Sequence, residues 1–282
     1  MLTRSEQIEL IRIDEEMRRR QSRRRLFSYR PYPKQLEFHE AGSLEAERLL
    51  MAGNQLGKTF SAAAECAMHL TGRYPKAGEV FYATESELRH IARTAAPASV
   101  EYTNAIGLLE NLGARGLFGA DVYPDGWPGR RFDKPISAWV GGKSSRDTRD
   151  IVQAALLGSP EDSRQLGTGA IPFDDIIAST MTKIPGVPNA IDTMMVRHVS
   201  GGRSVLGFKS FDQGRQRWQG TKKELVWCDE EPPHDVYMEA KTRTNAANGI
   251  VMVTFTPLLG MSEVVRLFIH EEKELTEPTA SR

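Results

Sequence analysis

The chain has 282 residues, 40% of them hydrophobic, which is enough apolar material for one large or two small domains with a real core. No run approaches the ~20 apolar residues of a membrane span and the N-terminus lacks a secretory core, so a soluble, intracellular chain with no membrane partner is expected. The 37 basic and 37 acidic side chains cancel, and Cys66 and Cys228, far apart in apolar runs with no histidine at ligand spacing, support neither a disulfide framework nor a zinc site.

The charges are not spread evenly. Residues 1–30 hold nine arginines and five acids, and the rest of the chain carries the compensating acidic excess. Asp14, Glu15 and Glu16 precede Arg18, Arg19, Arg20, Arg23, Arg24 and Arg25, an order that suits a helix with acids at its start and bases at its end. Such an arm is either solvated or directed at phosphates or a neighbouring subunit. Pro31 to His39 follows, stopped by Gly42, and Leu49–Ala52 reads as a buried strand. From Lys58 to Leu70 the period changes: Phe60, Ala63, Ala64, Ala67 and Leu70 mark a helix, which Thr71-Gly72 ends. Glu85–Ala95 and Ser99–Leu112 predict two further helices. Ile136–Val140 reads as a strand, Arg149–Leu157 as a helix, and Thr193–His198 with Ser204–Phe211 as a β-hairpin around Gly201-Gly202. Leu225–Cys228 and Ile250–Val253 are unbroken apolar runs expected of central strands, joined by a helix over Asp235–Arg243. Alternating strands and helices give an α/β fold with a mostly parallel central sheet flanked by helices.

The stretch Ala52-Gly53-Asn54-Gln55-Leu56-Gly57-Lys58-Thr59 lies between a predicted strand and a predicted helix and fits the P-loop pattern. Its backbone N–H groups, from Gly53 through Gly57, would wrap the phosphates of ATP, with the helix start facing the anion. Lys58 would reach the β- and γ-phosphates and the Thr59 hydroxyl would coordinate Mg²⁺. Asp229, at the end of the Leu225–Cys228 run, is the second metal-side acid, and Glu230 is the candidate general base, with Glu231 as the fallback. Gln35 is placed to pair its amide with the adenine edge while an aromatic ring such as Tyr32 stacks on the base. Thr254 and Thr256, in Thr254-Phe255-Thr256-Pro257, put hydroxyls where a γ-phosphate sensor would sit.

In this order these pieces resemble the ATPase domain of the large terminase subunit of tailed bacteriophages, over roughly residues 31–260. The resemblance includes Phe208-Lys209-Ser210-Phe211 and Arg215-Gln216-Arg217-Trp218-Gln219-Gly220 ahead of the Asp229-Glu230-Glu231-Pro232-Pro233 run. It implies an additional-strand, RecA-like P-loop NTPase using ATP and Mg²⁺ to drive double-stranded DNA into a procapsid through the portal protein. It further implies a homo-oligomeric ring, a small terminase subunit that selects the DNA, and a location in the host cell cytoplasm, transiently docked on the procapsid and absent from the mature virion.

Three features depart from the family. Lys58 and Asp229 are 171 residues apart, so residues 76–122 are expected to be a helical insertion in a motor domain spanning 31–265, behind a basic arm at 1–30. Asn54 and Gln55 stand where many members carry a P-loop arginine, so the transition-state cation must come from elsewhere, with Arg130, Arg131, Arg215, Arg217 and Arg243 as candidates and Arg217 preferred. Family members continue into an RNase H-like nuclease, whereas residues 266–282 read as a tail or linker, so an isolated motor without nuclease activity is expected. A superfamily 2 helicase or translocase and a non-catalytic DNA-binding assembly module are the competing readings.

Overall fold

The computed structural model describes residues 11, 12, 15, 19, 22–53, 55–75, 126–256 and 262–268. The expected insertion at 76–122, Asn54, and the tail from 269 onward lie outside the described residues.

The apolar runs form the centre of one seven-stranded sheet: β1 (Glu47–Met51), β2 (Ser137–Gly142), β3 (Ile176–Lys183), β4 (Ile191–Arg197), β5 (Arg203–Ser210), β6 (Leu225–Asp229) and β7 (Ile250–Phe255). Their order is β1-β7-β6-β2-β5-β4-β3. The pairs from β1 across to β5 are parallel, whereas β4 pairs antiparallel with both β5 and β3. β7 therefore lies between the strand that enters the P-loop and the strand that ends in Asp229, the additional-strand arrangement of a P-loop NTPase.

Helices cover both faces. They are α1 (Pro33–Ala41), α2 (Lys58–Thr71), α3 (Ser145–Asp147, a π turn Thr148–Gln153, then Ala154–Leu157) and α4 (His234–Asn245). Strand alternation sorts the core into two layers. Leu225, Trp227, Ile250 and Met252 face the cluster that holds the α2 alanines Ala62, Ala63, Ala64 and Ala67. Val226, Cys228, Val251, Val253 and Phe255 face Val236, Tyr237 and Ala240 of α4. Small side chains let α2 lie close to the sheet, and Gly72, with φ 70°, closes the helix by donating its N–H to Met68 O. Both cysteines are buried, as small apolar side chains in the core.

The predicted hairpin is present as β4 and β5, and the helix expected over Arg149–Leu157 starts earlier, where Ser144 Oγ accepts from Asp147 N at 3.1 Å. β3 was not anticipated. The arginine cluster does not end in solvent: Leu26 and Tyr29 are buried in the first core cluster, and Phe173 N donates to Arg23 O at 3.2 Å. Arg23 stacks on Phe173 at 4.2 Å and Arg25 on Phe60 at 4.0 Å, while Arg24 pairs with Asp174 at 3.7 Å. The end of the arm is thus part of the domain rather than separate from it at residue 30.

Candidate nucleotide site

Parallel pairing brings the C-terminal ends of β1, β7 and β6 to one edge of the sheet, where α/β proteins bind ligands. The register opposes Met51 to Phe255 and Asp229 to Thr254, so the P-loop, Asp229 and Thr254–Thr256 meet there. In the loop, Gln55 and Gly57 have φ of 61° and 75°, and a Cβ on Gly57 would come within 2.9 Å of Gln35 Nε2. Only glycine meets both conditions at low cost. Lys58 Nζ spans the loop, donating to Gly53 O at 2.8 Å and Thr256 Oγ1 at 3.0 Å. Thr59 Oγ1 donates to Asp229 Oδ1 at 3.0 Å and Oδ2 at 3.3 Å.

Burial lifts the Asp229 carboxyl to about 6, against hydrogen bonds from Thr254 and Thr59 and the charge of Lys58 that pull it down. Glu230, next in the chain, has φ 77°, a conformation a non-glycine residue adopts only when its surroundings impose it. The imposition is visible: Glu230 N donates to Thr254 O at 2.7 Å. Burial also raises the Glu230 carboxyl, opposed by Lys58 and Lys143, the direction expected of a general base. Glu230 and Thr256 line a cavity of about 660 Å³ together with Lys143, Asp212 and Glu231.

Two expected ligand contacts are corrected. Thr254 is 1% exposed, and its Oγ1 accepts from Trp227 Nε1 at 2.9 Å while donating to Asp229 Oδ1 at 2.7 Å. It holds the acid rather than facing a phosphate, and Thr256, one step further along the same face, is the hydroxyl beside Lys58. Gln35 is buried with both ends of its amide engaged: Oε1 accepts from Tyr32 N at 2.9 Å, and Nε2 donates to Leu56 O and Gly57 O, each at 3.2 Å. It braces the P-loop from below, leaving no free amide edge for adenine. Tyr32 is 65% exposed at the start of α1.

The arginine candidates differ in what they already do. Arg130 donates to Asn248 O and Arg131 to Trp127 O. Arg215 and Arg243 both pair with Glu239, at 3.0 and 2.6 Å. Arg217 is exposed on the 3-10 turn Arg215–Trp218, outside the cluster around Lys58 and Asp229. Sequence reasoning missed Lys143. It follows β2 directly and lines the same cavity as Glu230, whose carboxyl its charge pulls down. The lysine after Gly141-Gly142 was the available signal.

The family model described as terminase large subunit, T4likevirus-type, N-terminal, matches residues 49–281. The chain belongs to the terminase large subunit family. The large terminase subunit of Salmonella phage P22 is 38% identical over 273 residues, covering 95% of this chain and 47% of that protein. The large subunit of Enterobacteria phage LP7 is 23% identical over 277 residues, covering 95% of this chain and 48% of that one. This terminase chain spans about half the length of both relatives. A solved large terminase from the thermophilic bacteriophage D6E aligns with 70% of the chain and 44% of its own, at 9% identity and a TM-score of 0.33.

Proposed function

We propose that this terminase chain is the ATP-hydrolysing motor of viral genome packaging, coupling ATP hydrolysis to movement of double-stranded DNA into a procapsid. The observation that carries the reading is the convergence of Lys58, Thr59, Asp229, Glu230 and Thr256 at the ends of three parallel strands, with Thr59 3.0 Å from Asp229 and Lys58 3.0 Å from Thr256.

The donors suit the metal: a hydroxyl and a buried carboxylate side by side are the few hard oxygen ligands that Mg²⁺ takes from a protein when triphosphate oxygens supply others. Bound there, Mg²⁺ neutralises charge on the β- and γ-phosphates. The loop from Gly53 to Gly57, including Asn54, Gln55 and Leu56, cradles the phosphates with its N–H groups, and Lys58 exchanges Gly53 O and Thr256 Oγ1 for phosphate oxygens. Glu230 takes the proton of the attacking water, its carboxyl held at the mouth of the cavity by the imposed backbone. Thr256 senses the γ-phosphate, and Tyr32 stacks on the base while Gln35 fixes the loop. Arg217, exposed and not engaged by Glu239 as Arg215 and Arg243 are, acts in trans on a neighbouring subunit's nucleotide within a ring.

The motor takes in the end of the arm, where Leu26 and Tyr29 join the core, and runs past residue 265, since Leu267 and Phe268 pack against the layer that holds Val236 and Tyr237; 76–122 is an insertion and the tail follows residue 268. The family reading supplies the partners: DNA held through its phosphates, the portal protein and the small terminase subunit, in the host cytoplasm. The test is ATP turnover against protein concentration, with and without double-stranded DNA. Turnover should require Mg²⁺ and rise more steeply than linearly with concentration, because the cation comes from a neighbour. A wild-type chain that binds no ATP would end this reading.

A further inference from the structure

The P-loop grips α1 through Gln35, and a second grip lies deeper, between α1 and the middle of α2. Gln35 and His39 are four residues apart and share one face of α1. His39 Nδ1 lies 2.6 Å from Oε2 of Glu65, a fully buried carboxylate in the middle of α2. Arg48, in the strand that leads into the P-loop, gives Glu65 two hydrogen bonds, at 2.5 and 3.2 Å, and also donates to Phe38 O of α1 at 2.7 Å. One carboxylate therefore ties together the strand before the P-loop, the helix after it and the helix that carries Gln35 and Tyr32.

Burial alone would raise the Glu65 carboxyl; Arg48, His39 and His69 overcome it and hold the group well below its usual range. An ionised carboxylate only accepts, so His39 Nδ1 carries the proton and Nε2 is left to Tyr29 OH at 2.9 Å and Ser61 Oγ at 3.2 Å. His69 bonds the same carboxylate, through Oε1 at 3.2 Å, but it lies on α2 itself and reaches no second wall of the site. The two histidines thus make similar bonds with different consequences.

We infer that Glu65, Arg48 and His39 form a positioning cluster that sets α1 against the P-loop and so fixes Tyr32 and Gln35 where the nucleotide binds. The inference rests on the ATP-site reading above. None of the three residues lies in the P-loop or lines the cavity at Glu230, so loosening the cluster weakens nucleotide binding and leaves the chemical step intact.

The experiment measures affinity for a fluorescent ATP analogue with Mg²⁺, kcat at saturating ATP, and Tm. His39→Phe keeps a ring among Tyr29, Phe38 and Trp127 and removes both nitrogens. It should raise Kd about tenfold, a coupling of ordinary size, with kcat unchanged. His39→Asn, which restores a donor toward Glu65, should recover most of the affinity. His69→Phe should lower Tm comparably and leave Kd alone. If His39→Phe does not fold, Arg48→Lys carries the test, since it keeps the charge but cannot serve both Glu65 oxygens and Phe38 O; the same weakening is expected. Wild-type affinity in the folded His39 or Arg48 variant, or equal weakening by His69→Phe, would overturn the positioning role. Failure of the wild type to bind the analogue would instead remove the ATP-site reading on which the role depends.

Discussion

Replacing Thr254 by valine keeps the shape of the side chain and removes one oxygen. That oxygen accepts from Trp227 Nε1 at 2.9 Å and donates to Asp229 Oδ1 at 2.7 Å. Trp227 is fully buried and Asp229 is 4% exposed, so water replaces neither bond. A buried N–H left unpaired costs about 1–3 kcal/mol, and a hydrogen bond to a charged group contributes about 1.5–3 kcal/mol. Together they predict a loss of roughly 3–5 kcal/mol, a large share of a typical net stability of about 5–15 kcal/mol. In a protein of this size that lowers Tm by roughly 10 °C. Asp229 responds as well. Burial is the main cause that lifts its carboxyl to about 6, and Thr254 is the leading donor opposing it, so the variant's carboxyl titrates higher still. Affinity for Mg²⁺-ATP, followed from mildly acidic to mildly alkaline pH, should therefore fall away at a higher pH in Thr254→Val than in the wild type, and Thr254→Ser should preserve both properties. A valine variant within about 0.5 kcal/mol of the wild type, the range of an inconsequential surface change, would show that the hydroxyl does not hold Asp229.

Other expectations follow from the same geometry. Asp229→Asn should stabilise the nucleotide-free protein near neutral pH. The folded carboxyl titrates at about 6 and the free one at 3.8, so the folded state holds the proton longer and loses roughly 3 kcal/mol as pH rises between those values; the gain should vanish in acid and the variant should no longer be stabilised by Mg²⁺-ATP. His69, held below its ordinary 6.5 by burial, contributes stability that is present above that pH and lost as pH falls, so denaturation across that range should show a smaller acid-side loss in His69→Phe than in the wild type. Arg217→Ala should cut DNA-stimulated turnover by about 10³-fold with ATP affinity intact, and mixing it with Glu230→Gln should restore activity, because each subunit supplies what the other lacks. Loss of activity without such complementation would mean that Arg217 does not act across an interface.

Much of this site was legible because its signals are local. The P-loop announces itself by glycines, a lysine and a threonine between a strand and a helix, and Asp229 by the apolar run before it. Thr254 and Thr256 read alike in the sequence, at the end of an apolar run; β7 takes in Thr254 and stops at Phe255, so Thr256 follows the strand. Depth separates them: the register opposite Asp229 puts Thr254 inside and leaves Thr256 at the rim beside Lys58, and register is a property of the paired strand rather than of the segment. Gln35 was singled out for the right neighbourhood, but its amide reaches the P-loop carbonyls only because α1 packs beneath them. Glu65 escaped notice for a similar reason. The apolar stripe of α2 leaves it reading as a solvent position, and only the approach of Arg48 from β1 and His39 from α1 makes its burial tolerable. β3 was missed because it is an edge strand with a half-exposed pattern and no clean alternation.

The central claim is that Glu230 takes the proton of the attacking water. The most direct measurement is single-turnover hydrolysis of ATP by wild type and Glu230→Gln in the presence of Mg²⁺ and DNA, with nucleotide affinity measured on the same samples. The account predicts that the glutamine variant binds ATP as tightly as the wild type and hydrolyses it at least about 10²-fold more slowly. Hydrolysis at the wild-type rate with unchanged affinity would contradict it and move the base to another residue, Glu231 first.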